Sequence, residues 1–458
     1  MLAFCYRQTG GGFGEKVKEY KVNPLAAELN DKIKRENPYL FDMLSDLGKE
    51  LFFPKGILVQ SAEAKEKAGK YDATIGIAKE GPEAMHLRCV MESINGLTAN
   101  EIVSYAPSTG RPELRKEWAE EMVKKNPTLM GKATSLPIVT SGLTHGLSLV
   151  ADMFVDPGDV VVLPDMIWGN YRMIFATRNK AEIRHHTFFT SEGGFDIESF
   201  AKAVKDAARE KGKVVTILNF PNNPTGYSLT EREASGIRDV FLDVAGEGYN
   251  VVAVADDAYF GLFYDEATMK ESIFAHIADL SERITAIKLD GATKEDYVWG
   301  FRVGFITCGV GGDGDKPGLY NALERKIGGA IRGTISNCPL ISQSIILRAM
   351  HSPAYDREKK EKYEIMKSRA ERVHEVLADP KYSPVWQSYP FNSGYFMCLK
   401  LRTVDAEKLR KHLLDKYGVG VISLGQTDIR IAFSCLEVED IQDLFDTMLE
   451  AVRDVESS

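Results

Sequence analysis

Three side chains that can do chemistry follow apolar runs in the middle of the chain. Asp256 and Tyr259 follow the run VVAVA, and Lys294 comes shortly after ITAIKLD. Apolar, β-branched runs predict buried strands, and the carboxyl ends of parallel strands meet at one edge of a sheet. Arg302 follows Lys294 by eight residues, so an amine and a guanidinium can approach one ligand from the same loop. The spacing predicts a site where an acid, a phenol and an amine converge to bind a ligand and move protons.

A turn rich in asparagine and proline ends another apolar run. The run KVVTILNF is followed by PNNPTG, in which Pro224 cannot continue a strand and Gly226 permits a positive φ. Taken alone, this segment is an ordinary Asn-Pro turn, and a single charged residue is more often a surface charge than a functional group. The order of these residues along the chain is what favours a site.

A further segment is suited to binding an anion. Ser141, Gly142, Leu143 and Thr144 follow the run LPIVT and open an apparent helix, so backbone N–H groups at a helix N-terminus are free to face an anion. Two glycine-rich stretches, residues 10–14 and 309–318, lack the Gly-Lys-Ser/Thr ending of a phosphate loop and are interpreted as loops.

Six apolar runs between about residues 135 and 310 must position these side chains. Amphipathic segments lie between several of them, at residues 197–211 and 230–245. This alternation predicts an α/β fold with a largely parallel sheet covered by helices. Residues 16–70 are charged and helix-prone, and the chain after about residue 355 mixes helical patterns with two short strands, NSGYFMCLKL and TDIRIAFS. We therefore expect a second domain built from both chain ends.

Composition favours a small-molecule partner. The 458 residues carry a net charge of -9 and the pI is about 5.6, so no basic field attracts nucleic acid or an anionic membrane surface. No apolar run is long enough for a membrane span or a signal peptide, and we expect a cytoplasmic protein. The six cysteines lack CxxC spacing, which predicts neither a zinc site nor a disulfide framework. His185 and His186 are expected to be exposed.

The motifs together resemble those of fold-type I, class I aminotransferases that depend on pyridoxal phosphate, the family of aspartate and aromatic aminotransferases. The resemblance runs from about Gly76 to Arg430 and rests on the NPTG turn, the DxAY motif and a lysine followed by an arginine eight residues later. It implies a large domain with a mostly parallel seven-stranded sheet covered by helices, and a smaller α/β domain from both chain ends. The implied division is residues 1–84 (small domain and interface segment), 85–345 (large cofactor domain) and 346–458 (small domain).

The same resemblance assigns roles around pyridoxal 5'-phosphate. Lys294 holds the cofactor as a Schiff base and shuttles the α-proton of the substrate, and Asp256 pairs with the protonated ring nitrogen. Tyr259 and Asn223 contact the ring hydroxyl, and Trp168 stacks on the ring. The phosphate is expected to bind Gly142, Leu143, Thr144, Thr293 and Arg302, with Tyr105 and Ser336 of a neighbouring subunit.

Substrate recognition is expected to rest on arginines. The resemblance implies that Arg430 binds the α-carboxylate in a bidentate fork and that Gly76 approaches the substrate from a mobile segment. It also implies a homodimer in which Arg332 crosses into the neighbouring site and binds a side-chain carboxylate. Aspartate or glutamate is therefore favoured as donor in a ping-pong transfer to a 2-oxo acid. Aromatic amino acids stay possible, because related enzymes move this arginine aside.

Two alternatives and one departure accompany this interpretation. A decarboxylase, lyase or synthase of the same fold uses the same lysine, aspartate and arginine. A non-catalytic regulator that binds the cofactor is disfavoured, since no basic recognition helix is visible. The family commonly has a serine three residues before the lysine, whereas this chain has Gly291, so either the phosphate binds more weakly or another donor compensates.

Overall fold

The apolar runs form strands in the computed structural model, which describes residues 22–54 and 56–457. The strands in chain order are β1 (Tyr71–Asp72), β2 (Lys79–Glu80), β3 (Glu83–Ala84), β4 (Ile138–Ser141), β5 (Val160–Pro164), β6 (Glu182–His186), β7 (Lys213–Asn219), β8 (Asn250–Asp256), β9 (Ile284–Asp290), β10 (Val303–Val310), β11 (Trp386–Ser388), β12 (Phe396–Leu401), β13 (Val419–Gly420), β14 (Ile422–Leu424) and β15 (Asp428–Ala432).

Helices occupy the amphipathic segments between the strands and at both ends of the described chain. They are α1 (Pro24–Glu36), α2 (Pro38–Met43), α3 (Asp46–Glu50), α4 (Ile57–Lys67), α5 (Arg88–Ser93), α6 (Ala99–Ile102), α7 (Pro112–Lys125), α8 (Gly142–Phe154), α9 (Ile197–Lys211), α10 (Glu231–Gly246), α11 (Ile273–Ile277), α12 (Ala292–Glu295), α13 (Lys316–Thr334), α14 (Leu340–Met350), α15 (Tyr355–Leu377), α16 (Ala406–His412) and α17 (Ile441–Ser457).

Seven strands form one sheet in the order β4-β10-β9-β8-β7-β5-β6. The pairs from β9 to β6 are parallel, and β10 runs antiparallel to both β4 and β9. Alternate residues of β8 face different helices: Val251 and Ala253 pack in one apolar cluster with α9 and α10, and Val252 and Val254 pack in another with α8. The mostly parallel seven-stranded sheet covered by helices is confirmed, and it presents the ends of β7, β8 and β9 along one edge.

Strand β6 lies at the edge of this sheet and was not recognised as an apolar run. His186 is its only fully buried residue, so the expectation that both histidines are exposed is wrong for His186. The His186 ring packs at 5.6 Å from the Phe195 ring and 5.3 Å from the Phe200 ring. His185 is exposed, because successive side chains of a strand point to opposite faces.

A second sheet of four antiparallel strands, in the order β11-β12-β15-β14, forms from the C-terminal part of the chain. Strand β1 pairs in parallel with β13, which ties residues 71–72 to residues 419–420. This pairing supports a smaller domain to which both ends contribute. The boundary expected after residue 345 falls within α14, and the division into domains stays a prediction.

Residues 22–54 form a separate compact unit of three short helices. Each helix begins after a side chain that accepts a backbone hydrogen bond: Asn23 from Leu25, Asn37 from Leu40, and Ser45 from Gly48. These are typical N-cap residues, since their oxygens satisfy N–H groups that have no partner in the first turn. In the described parts of the chain, no helix combines the length and the apolar character needed to span a membrane.

Candidate active site

A cavity of about 380 Å³ lies where β7, β8 and β9 end. Most of the residues that the sequence assigns to the site line it: Gly76, Leu143, Thr144, Trp168, Asn223, Asp256, Tyr259, Thr293, Lys294, Arg302 and Arg430. The strand ends deliver Asn219, Asp256 and the segment of Lys294 to the same edge, as expected of a parallel sheet.

Lys294 lies on the short helix α12 that follows β9. Its Nζ lies over the Tyr259 ring, 4.2 Å from the centroid, and its carbonyl oxygen accepts a hydrogen bond of 3.2 Å from the Tyr395 hydroxyl. Burial lowers the pKa of Lys294 to about 8; the carboxylate of Asp256 opposes this shift, and the charge of Arg302 adds to it. An appreciable fraction of the amine is therefore unprotonated near neutral pH, as a nucleophile and base require.

Asp256 ends β8 with only 3% of its surface exposed. Its Oδ2 accepts a hydrogen bond of 2.5 Å from the Tyr171 hydroxyl, and its Oδ1 accepts one of 3.2 Å from the Ala258 backbone N–H. Burial raises the pKa of this carboxyl, while the Tyr171 hydroxyl and the charge of Lys294 oppose the shift. A carboxylate held in this way is suited to pair with a cationic group inside the cavity.

Tyr171 is a candidate site residue that the sequence reasoning missed. Its buried ring meets the Trp168 ring edge-on at 5.6 Å, and its hydroxyl donates a hydrogen bond to Asp256. The available signal was its position three residues after Trp168, a spacing that places two side chains on one face of a helical turn.

The N-terminus of α8 and Arg302 together form a cationic corner of the cavity. Gly142 has a φ of +73°, and a Cβ added there would lie 2.8 Å from the Arg302 Cζ, so glycine allows the guanidinium to reach the helix. Arg302 itself has a φ of +55° and donates from Nη1 to the Trp299 carbonyl oxygen at 3.0 Å. Helix N–H groups, the Thr144 hydroxyl and a guanidinium are the donors that a phosphate group needs.

The departure at Gly291 has a steric cause. A Cβ at this position would lie 2.5 Å from the Val303 carbonyl oxygen and 2.7 Å from the Gly304 Cα, because β10 passes close to the residue. No serine side chain fits there without moving the strand. The donors for an anion must therefore come from α8 and Arg302, and from the hydroxyl of Thr293, which also lines the cavity.

Arg430 lies on β15 at another wall of the cavity and is almost fully buried. It donates from Nη1 to Asn223 Oδ1 at 3.1 Å and from Nη2 to the Thr74 carbonyl oxygen at 2.7 Å, and it lies over the Phe396 ring. Its Nε has no hydrogen-bond partner among the described residues, and burial lowers the pKa of the guanidinium. Since its hydrogen-bond partners are neutral, a carboxylate ligand would supply the missing countercharge.

Three predicted residues are not brought to this cavity within one chain. Tyr105 is 91% exposed, and Arg332 donates from Nη1 to the Ser336 hydroxyl at 2.6 Å beside the end of α13. This placement is compatible with the expectation that they reach a neighbouring site, which stays a prediction.

The cavity also has an apolar wall that the motifs did not reveal. Ile57 and Leu58 of α4 contribute to it, together with Ile75 and Phe396, and Ser61 of the same helix also lines the cavity. The sequence indicated helical structure within residues 16–70, but no local signal distinguishes a cavity wall from packing against a core.

The chain is similar to known proteins over most of its length. Residues 75–448 match the family described as aminotransferase class I and II. The aspartate aminotransferase of Bacillus sp. (strain YM-2) is 26% identical over 327 residues, which are 71% of this chain and 76% of that protein. The aspartate aminotransferase of Bacillus subtilis (strain 168) is 27% identical over 374 residues, 81% of this chain and 88% of that protein.

A solved structure shares the fold. The aminotransferase from Anaerococcus prevotii superposes with a TM-score of 0.77 at 21% identity, over 90% of this chain and 99% of that one. The family match covers most of the chain, and members of this family use pyridoxal phosphate. The chain therefore belongs to the class I and II aminotransferases, and it is a pyridoxal-phosphate-dependent enzyme that transfers amino groups between amino acids and 2-oxo acids.

Proposed function

We propose that the cavity around Lys294 is the active site and that the enzyme transfers the amino group of aspartate or glutamate. The observation that carries this proposal is the convergence of the Lys294 amine, the Asp256 carboxylate, the Arg302 corner and the Arg430 guanidinium on one cavity. These groups fit the chemistry of pyridoxal phosphate: an amine for its aldehyde, a carboxylate for its ring nitrogen and donors for its phosphate. When bound, the cofactor supplies an electron-withdrawing ring that stabilises negative charge at the substrate α-carbon.

Each residue then has a task of its own. Lys294 would bind the cofactor covalently and, once released, take the α-proton of the substrate, which its lowered pKa favours. Asp256 would keep the ring nitrogen protonated, and Tyr171 holds the carboxylate in place. The other residues would hold the cofactor: Tyr259, Asn223 and Trp168 beside its ring, and Gly142, Leu143, Thr144, Thr293 and Arg302 at its phosphate.

The choice of substrate rests on two arginines. Arg430 would bind the α-carboxylate, because no described residue gives its buried charge an anionic partner. We assign a second carboxylate to Arg332 of a neighbouring subunit, and two related enzymes are named aspartate aminotransferases. The Gly76 segment would close over the substrate, since a Cβ at Gly76 would already contact the Phe396 ring and the Tyr259 hydroxyl.

We also propose a homodimer with shared active sites. Large apolar side chains near Tyr105 are exposed in the single chain, including Val103 and Ile102. Exposed apolar groups clustered in this way are typical of surfaces that another protein covers. A location in the cytoplasm stays a prediction from the sequence.

Replacing Arg332 with leucine tests the substrate class. We expect kcat/KM for aspartate or glutamate to fall by about 2–5 kcal/mol more than for an uncharged amino donor, because the side-chain carboxylate would lose a charge-assisted partner. The measurement is a steady-state comparison of donors with one 2-oxo acid. Arg325→Leu, an exposed arginine on the same helix, is the matched control. Equal losses for charged and uncharged donors would show that Arg332 is structural, and the dicarboxylate assignment would be abandoned.

A further inference from the structure

Two buried acidic residues follow Lys294 directly. The Asp296 side chain is fully buried, and that of Glu295 is 10% exposed. Carboxylates at such positions are costly unless cations and hydrogen-bond donors compensate them. Neither residue lines the cavity that holds the Lys294 amine. Whatever they contribute to the site must therefore pass through the backbone and the charge of the Lys294 segment.

The compensation comes from two helices that are distant in sequence. Lys125, the last residue of α7, forms an ion pair with Glu295. Lys359 of α15 bridges both acids, with its Nζ 2.9 Å from Glu295 Oε1 and 3.0 Å from Asp296 Oδ1. The Tyr355 hydroxyl donates to the same Asp296 Oδ1 at 2.6 Å. We call Lys125, Glu295, Asp296, Tyr355 and Lys359 the Lys359 network.

The acids and lysines of this network shift one another's pKa values. Burial alone would raise the pKa of Glu295, but the ion pairs with Lys125 and Lys359 outweigh burial and lower it. Burial alone would lower the pKa of Lys359, but Asp296 and Glu295 outweigh burial and raise it well above its ordinary value. Glu295 and Lys359 are therefore both charged across the neutral range. Loss of Lys359 would leave buried negative charge uncompensated beside Lys294, since Asp296 Oδ2 already lacks a partner among the described residues.

Helix α15 also contacts the segments that carry the substrate-binding residues. Arg369 donates from Nη1 to the carbonyl oxygens of Lys79 at 2.8 Å and Ser434 at 2.7 Å. Lys79 follows Gly76 by three residues, and Ser434 follows Arg430 by four. One helix thus joins the Lys294 segment to the two segments that we propose for substrate binding.

We propose that Lys359, assisted by Tyr355, is a positioning residue that holds the Lys294 segment through Glu295 and Asp296. This inference rests on the proposed role of Lys294 as the residue that binds the cofactor. The groups that face the Lys294 amine itself are Asp256, Tyr259 and Arg302. The Lys359 network acts on the same residue from outside the cavity.

Lys359→Met in the holoenzyme, compared with Lys367→Met, tests the proposal. Lys367 is the control, because it lies about two turns further along α15 and pairs with Glu371 of the same helix, outside the network. The absorbance of the bound cofactor, measured across pH, reports whether the nitrogen that joins it to Lys294 is protonated. Because the variant has one buried cation fewer, we expect Lys359→Met to raise the pH midpoint of this absorbance change by about one unit, which is a tenfold increase in proton affinity. A displaced Lys294 should also lower kcat about 10- to 100-fold, with a smaller change in KM.

Lys359→Arg should restore both the midpoint and kcat, and Lys367→Met should change neither. The proposal is overturned if Lys359→Met keeps the wild-type midpoint and kcat, or if Lys367→Met changes them equally. Should Lys359→Met not fold, Tyr355→Phe decides: it keeps every charge, and we expect a smaller shift in the same direction, whereas a wild-type profile overturns the proposal. If the cofactor proves to be bound at another lysine in the wild-type enzyme, the proposed function fails instead.

Discussion

Lys294 and Asp256 carry pKa shifts in the cavity for one shared reason, which is burial. For the amine, burial favours the neutral form and lowers the pKa to about 8; for the carboxyl, burial raises the pKa. The residue that moderates the second shift is Tyr171, whose hydroxyl donates to the charged form of Asp256. Sequence motifs located the acid and the amine, but they gave no indication of this third partner.

Tyr171→Phe should shift the acidic limb of the pH profile of kcat/KM to higher pH. Without the hydroxyl the pKa of Asp256 rises further, so the carboxylate takes up a proton at a higher pH and activity is lost there. At neutral pH we expect kcat/KM to fall about 10- to 100-fold, which corresponds to about 1.5–3 kcal/mol for a hydrogen bond to a charged group.

The pH dependence of kcat/KM, measured for both enzymes, checks this prediction. Tyr227→Phe is the control, because the Tyr227 hydroxyl also donates to a carboxylate, that of Glu233, which does not line the cavity. An acidic limb at the wild-type position in Tyr171→Phe would mean that Tyr171 only fills space.

At the scale of elements, the strands with continuous apolar runs could be predicted and the others could not. Strands β7, β8 and β9 are buried on both faces, so their sequences read as uninterrupted apolar segments. Strand β6 lies at the side of the sheet with only His186 fully buried, and its sequence EIRHH carries too little apolar character to be recognised. The strands whose carboxyl ends hold the site were therefore predictable, while the outermost strand β6 was not.

For the helices, the positions could be predicted from the sequence, but the contacts that they make could not. The expected segments 197–211 and 230–245 correspond to α9 and α10, and the helix after Ser141 corresponds to α8. The contact of α4 with the cavity depends on chain pairing across hundreds of residues, such as β1 with β13. Likewise, nothing near Lys359 in the sequence indicates that it meets Glu295 and Asp296. Long-range contacts of this kind are set by the tertiary fold and leave no local pattern.

At the scale of the whole molecule, one chain supplies the amine, the acid and Arg430 but leaves Tyr105 and Arg332 outside the cavity. The proposed homodimer with shared sites would account for this division. The two described units, residues 22–54 and 56–457, are each compact, and all residues assigned to the cavity belong to the second.

Mixing two inactive variants should restore activity if sites are shared. One protein carries Lys294→Ala and the other Arg332→Ala, and activity is measured with aspartate. In a heterodimer, one site combines the intact lysine of one chain with the intact arginine of the other, so we expect activity to return after subunit exchange. Each variant exchanged with itself is the control. Full activity in a demonstrated monomer, or no recovery in a demonstrated heterodimer, would contradict the shared site.

The central claim is that Lys294 binds the cofactor, and the most direct measurement is borohydride reduction of the holoenzyme followed by peptide mapping. We expect the reduced cofactor only on the peptide containing Lys294, and we expect folded Lys294→Ala to carry no adduct and to turn over several decades more slowly. The instructive comparison is Lys288, a buried lysine whose ion pairs with Asp257 and Asp290 raise its pKa against the effect of burial. Cofactor on Lys288 or on any other lysine of the wild-type enzyme, or an adduct retained by Lys294→Ala, would contradict the account.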